Sequence, residues 1–140
     1  MLEYEHQDIL ITAKRSTFRL EECLQKYGEY HWQQTRFNVH PGDTVYIYVS
    51  EDRTIKYKMI VVEANKSYDR WMGREEEFWV DRSRINEDES TTKYALLRLE
   101  AVSKSGKLTE ENLMAHGFLR APQGVKHIEG NLLKYIKRKF

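Results

Sequence analysis

The stretch "EYHWQQTRFNVHPGDTVYIYVSEDRTIKYKMIVVEA", residues 29–64, decides the fold class. Its second half reads directly. "TVYIYVS" (44–50) is apolar almost throughout and is entered through a Pro-Gly-Asp turn, so it predicts a strand without a polar face. "EDRT" turns the chain, and "IKYKMIVVEA" (55–64) returns as a second strand. There Ile55, Tyr57 and Met59 alternate with Lys56 and Lys58, which turns one side of its first half to water. The first half is harder. Trp32 follows His31, precedes Gln33 and Gln34, and reads as part of a loop between a helix and the sheet. His31 is expected to serve as a structural hydrogen-bonding group.

Outward from this stretch, "DILITA" (8–13) is a short strand buried on both faces. "STFRLEECLQKYG" then predicts a helix, with Ser16 or Thr17 as cap and Gly28 as terminator. Leu20, Cys23, Leu24 and Tyr27 fall on one stripe of that helix, so Cys23 is expected in the core. "EFWV" (77–80) is a shorter candidate strand, and "KYALLRLEAV" (93–102) is a clear one. "LTEENLMAHG" predicts a helix capped by Thr109 and ended by Gly117. "EGNLLKYIKRKF" predicts a last helix whose Lys137, Arg138 and Lys139 suit the negative end of its dipole. Strands follow one another by short turns instead of alternating with helices. The expected class is therefore α+β: a small, curved, mostly antiparallel β-barrel of five to six strands with peripheral helices.

At 140 residues the chain is one domain, 1–140. With 40% apolar and 32% charged residues, it has the composition of a soluble globular protein. No apolar run reaches the ~20 residues of a membrane span, and the acidic start "MLEYEHQDIL" does not read as a signal peptide, so none is expected. A single cysteine, Cys23, fits a reducing compartment, so a cytoplasmic location is expected, with no membrane partner. Net charge is only +1, which argues against non-specific binding of polyanions. The charge is uneven: residues 69–90 hold eight acids against four arginines, and residues 120–140 six basic groups against one acid.

Several chemistries are missing. The seven glycines form no phosphate-cradling loop. The five histidines stand at no metal-ligand spacing, and one cysteine builds no zinc site. "REEE" (74–77) and "EDES" (87–90) read as solvated turns without a base or nucleophile beside them. The chain is thus not expected to be an enzyme or to hold a cofactor or metal. What remains are tryptophans outside the strongest strands: Trp32, Trp71 and Trp79, in "HWQQ", "DRWMGRE" and "EFWVDRSR". Rings placed this way can clamp a flat ligand, such as a nucleobase, with stacking worth ~1–3 kcal/mol per base. The amides of Gln33 and Gln34 could read its edges. The alternative reading is a protein-interaction or scaffold domain, using exposed aromatics and the acidic 69–90 segment.

"ILITAKRSTFRLEECLQKYGEYHWQQT", followed by "VHPGDTVYIYVS" and "IKYKMIVVEA", resembles the EVE domain of the PUA-like superfamily, to which YTH domains also belong. The likeness lies in order and pattern over nearly the whole chain. It implies a module that reads a modified base of DNA or RNA in an aromatic cage. By position, Trp32 matches the pocket tryptophan, and Lys14, Arg15 and Ser16 match a polar turn that contacts phosphate or the pocket floor. Tyr68, Trp71, Phe78 and Trp79 are the candidates for a second wall, and Arg36 or Arg120 for the rim. The acidic 69–90 segment departs from that pattern, which bears on affinity for a long strand.

Overall fold

A computed structural model of the chain describes residues 6–34, 38–67, 72–80, 93–104, 106–117 and 125–140. Six strands are present among them: β1 (Asp8–Ala13), β2 (Glu29–Gln33), β3 (Thr44–Val49), β4 (Thr54–Lys66), β5 (Tyr94–Val102) and β6 (Lys126–His127). Helices α1 (Leu20–Tyr27), α2 (Glu110–Ala115) and α3 (Gly130–Lys139), with the 3-10 helix η1 (Met72–Phe78), lie at the periphery. The strands form one sheet in the order β2-β5-β4-β3-β1-β6. Every pairing is antiparallel except that of β1 with β3, which run parallel from Asp8 beside Thr44 to Ala13 beside Val49. The expected α+β class with a mostly antiparallel sheet is what forms.

The sheet is curved. Ile9 and Ile11 of β1 and Trp32 of β2 come from near opposite ends of the strand order, yet they share one buried core. Irregularities in the ladder supply the bending. Ile47 stands opposite Tyr57 while the next residue, Tyr48, stands opposite Ile55. Lys56 is therefore the extra residue of a bulge. The bulge also switches faces: Tyr57, Met59 and Val61 join the core beneath α1, whereas Ile55 joins a second core beneath α2 and α3. That second core packs Leu10, Tyr46, Tyr48, Leu108, Leu113, Tyr135 and Ile136.

Four local expectations are corrected. The segment around Trp32 is a strand, not a loop: β2 pairs with β5 from Glu29 beside Arg98 to Gln33 beside Tyr94. Its alternation carries the reason, since Tyr30 and Trp32 face the first core. Secondly, "EFWV" is no strand. Phe78 ends η1, and only a single bridge joins Trp79 to Phe18, flanked by Arg19 N–H to the Phe78 carbonyl at 2.8 Å and Val80 N–H to the Thr17 carbonyl at 2.9 Å. Thirdly, the "REEE" acids are not all solvated, because Glu75 is buried. Helix α1 also starts later than expected, at Leu20 with Arg19 as its uncapped N-terminal neighbour. Its end is as expected, with Gly28 at φ 69° donating its N–H to the Leu24 carbonyl. Thr109 caps α2, its hydroxyl accepting from Asn112 N–H at 3.3 Å. Cys23 is fully buried, and burial first of all pushes its thiol up to about 12. No helix among the described residues is long and apolar enough to cross a membrane.

Candidate functional site

Parallel pairing of β1 with β3 places their C-terminal ends side by side, and Ser50 N–H donates to the Ala13 carbonyl at 2.9 Å. The turn that leaves β1 (residues 14–17) therefore lies against the turn that joins β3 to β4 (residues 50–53). A shallow depression, open to solvent, sits here. Lys14, Arg15 and Lys56 bring cations to it, Glu21 brings one carboxylate, and Phe18, Tyr57, Leu20 and Val49 give it an apolar wall. Lys56 belongs to this group because the bulge in β4 re-aims it. Phe18 and Tyr57 are each 6% exposed, so the wall is formed by the margins of core rings.

The polar groups of the two turns are engaged with one another. The N–H groups of Arg15 and Ser16 donate to the two carboxylate oxygens of Glu51, at 2.9 and 3.2 Å. The guanidinium of Arg15 pairs with Asp52, and Lys56 Nζ lies 2.9 Å from the same carboxylate. The backbone hydrogen bond from Arg15 holds the Glu51 carboxyl below its ordinary range. For Asp52, burial pushes upward, but the hydrogen bonds from Arg15 and Lys56 outweigh it and leave that carboxyl lowered too.

An aromatic cluster continues from Phe18. Its ring centroid lies 4.9 Å from Tyr30 and 4.9 Å, edge-on, from Trp79. Trp79 is half-buried against the core that holds Trp32. Trp32 itself is 8% exposed and is not among the residues lining the depression.

The remaining candidates scatter. Gln33 is half-buried on β2. Gln34 is 2% exposed, and its amide closes on Asn65: Asn65 N–H donates to Oε1 at 2.8 Å, and Nε2 donates to the Asn65 side-chain oxygen at 3.3 Å. Asn65 is left-handed, φ 57°, and falls where the register of β4 with β5 shifts, so Gln34 fastens an irregular turn of the sheet. Tyr68, Trp71, Arg36 and Arg120 lie outside the described residues. The structure thus brings Lys14, Arg15 and Ser16 together and links Trp79 to them through Phe18. Phe18, Tyr57, Lys56, Glu51 and Asp52 were not singled out by the sequence. The "EDRT" turn was visible, but not its pairing with a turn 36 residues away.

No family model and no curated protein matches the sequence. Solved structures do match over nearly the whole chain. A hypothetical protein from Leishmania major is 15% identical with a TM-score of 0.62, covering 96% of this chain and 94% of that one. The ASCH protein of Zymomonas mobilis is 9% identical at a TM-score of 0.61, covering 96% of each chain. Human THYN1, solved in complex with 5-methylcytosine-containing DNA, is 12% identical at a TM-score of 0.59, covering 93% of this chain and 95% of its own. At these identities the likeness is one of fold, and the fold is PUA-like.

Proposed function

We propose that this chain is a nucleic-acid-binding module of the EVE type that seats one nucleotide, with a modified base, at the depression beyond β1. One observation carries the reading: three cations, Lys14, Arg15 and Lys56, ring an apolar wall that contains Phe18 and Tyr57. Cations meet a phosphate backbone, and the exposed ring margins give a base an apolar surface. The PUA-like fold supports it, since human THYN1 shares that fold and was solved on DNA containing a modified cytosine. The near-neutral net charge of +1 supports a shaped seat over general polyanion binding. In this reading the protein binds and does not catalyse. Trp79 extends the wall through Phe18, and Trp32 backs it from the core.

The test is a tryptophan-fluorescence titration with short DNA and RNA oligonucleotides that carry different modified bases. The expected result is saturable quenching that prefers one modified base and is lost in the Lys14→Ala, Lys56→Ala double variant. Absence of any response from the folded protein overturns the reading.

A further inference from the structure

The cationic rim of the depression is already answered by acids of the adjoining β3–β4 turn. Two successive backbone N–H groups, those of Arg15 and Ser16, point at one carboxylate and hold an oxygen each. Such paired main-chain donors form a concavity suited to an anion. The side chains beside it, Arg15 and Lys56, are both spent on Asp52. A phosphate offers the same features as these carboxylates: negative charge and two or three acceptor oxygens that can take parallel hydrogen bonds. Glu51 is exposed and Asp52 only partly covered, so water and solutes reach both acids, and neither is locked in place by the core.

We propose that the β3–β4 turn is an internal competitor: Glu51 and Asp52 occupy the seat that a nucleic-acid phosphate takes, and binding requires their displacement. This deepens the reading above and rests on it for the identity of the ligand. The competition has a definite origin in the fold. Parallel pairing of β1 with β3 brings the two turns together, and the bulge at Lys56 completes the cation pair. The function that follows is a threshold. A ligand with a phosphate alone gains little over the internal carboxylates, whereas a ligand that adds a base against Phe18 and Tyr57 gains enough to displace them. Selectivity for a complete nucleotide over free phosphate is the consequence.

The test uses the full chain and two probes, inorganic phosphate and a single-stranded oligonucleotide with the preferred base, read by the amide signals of Arg15 and Ser16 in two-dimensional NMR. In Glu51→Gln the shape of the side chain is kept and its charge removed. Glu51→Ala serves as the second variant, and unchanged signals elsewhere show that each remains folded. The expected result is that phosphate shifts the Arg15 and Ser16 amides in either variant at concentrations that leave the wild type unmoved. The oligonucleotide should bind the variants about fivefold more tightly, in line with the strength of an exposed charged contact. Unmoved Arg15 and Ser16 amides in both folded variants under phosphate overturn the competitor. Equal or weaker oligonucleotide binding by both variants than by wild type also overturns it and leaves the binding function standing. Phosphate shifts in the variants without oligonucleotide binding by any form would uphold the anion seat and instead remove the proposed function.

Discussion

His31 and Glu75 are paired out of water. The carboxylate of Glu75 accepts from the backbone N–H of His31 at 2.9 Å through one oxygen, and the other oxygen meets the imidazole Nδ1. The two side chains are 2% and 4% exposed. β2 stands at the edge of the sheet, where unpaired N–H groups invite other strands. Glu75 covers one of them from η1. Losing the acceptor of a buried hydrogen bond costs about 1–3 kcal/mol, so Glu75→Ala should lower stability by about that amount. Glu75→Gln, which keeps an acceptor for the N–H, should lose less. Urea unfolding of the three proteins checks this. The folded variants should bind oligonucleotides as wild type does, because the pair is no part of the depression.

Gln34 is predicted to matter for stability and not for recognition. Its amide satisfies the backbone N–H of Asn65 and is itself 2% exposed. Gln34→Ala leaves that donor unanswered, at a cost of about 1–3 kcal/mol. Thermal unfolding should show the loss, while base preference in the fluorescence titration should stay unchanged. A changed base preference at unchanged stability would return Gln34 to the role of an edge reader.

Trp32→Ala should act through the core. Its ring shares a cluster with Phe18, Cys23 and Leu97, and truncating a buried aromatic costs about 3–5 kcal/mol. Any loss of binding should then be recovered under stabilising conditions such as low temperature or sulfate-free osmolyte. Full stability combined with abolished binding would make Trp32 a direct ligand contact.

Alkaline pH should destabilise the fold. Burial, the leading cause in each case, pushes Cys23, Tyr46, Tyr48 and Tyr57 up to about 12. The unfolded chain releases these protons at ordinary thiol and phenol values, near 8.5 and 10, whereas the folded chain retains them. The unfolded state therefore binds fewer protons across this window, and stability falls as pH rises. It is fully present below about pH 8.5 and declines through pH 10 towards 12. Denaturation midpoints between pH 7 and 11 check the slope. Native Cys23 should react with a thiol reagent only as fast as the protein opens.

Elements with a strong period were legible in the sequence. Alternation in "YALLRLEAV" and the turn-bounded "TVYIYVS" and "IKYKMIVVEA" correspond to β5, β3 and β4, and Thr109 and Gly28 cap and end their helices as expected. His31 is the structural hydrogen-bonding group it was expected to be, yet β2 was missed although Tyr30 and Trp32 alternate with polar residues, because the partners that let His31 and Gln34 be buried, Glu75 and Asn65, lie far away in sequence. The Lys14–Ser16 turn was legible as a candidate. Its surroundings were not: they depend on a parallel pairing and a bulge, both of which are set by contacts far apart in sequence. Composition and local spacing carry no trace of such contacts.

The most direct measurement is a map of backbone amide shifts as an oligonucleotide with the preferred modified base is added to the intact protein. The account predicts that the largest shifts fall on Lys14 to Phe18, on Glu51 and Asp52, and on Lys56 and Tyr57. Shifts confined to α3, with its Lys134, Lys137 and Arg138, and silence beyond β1 would contradict it and place the nucleic acid on the opposite face of the sheet.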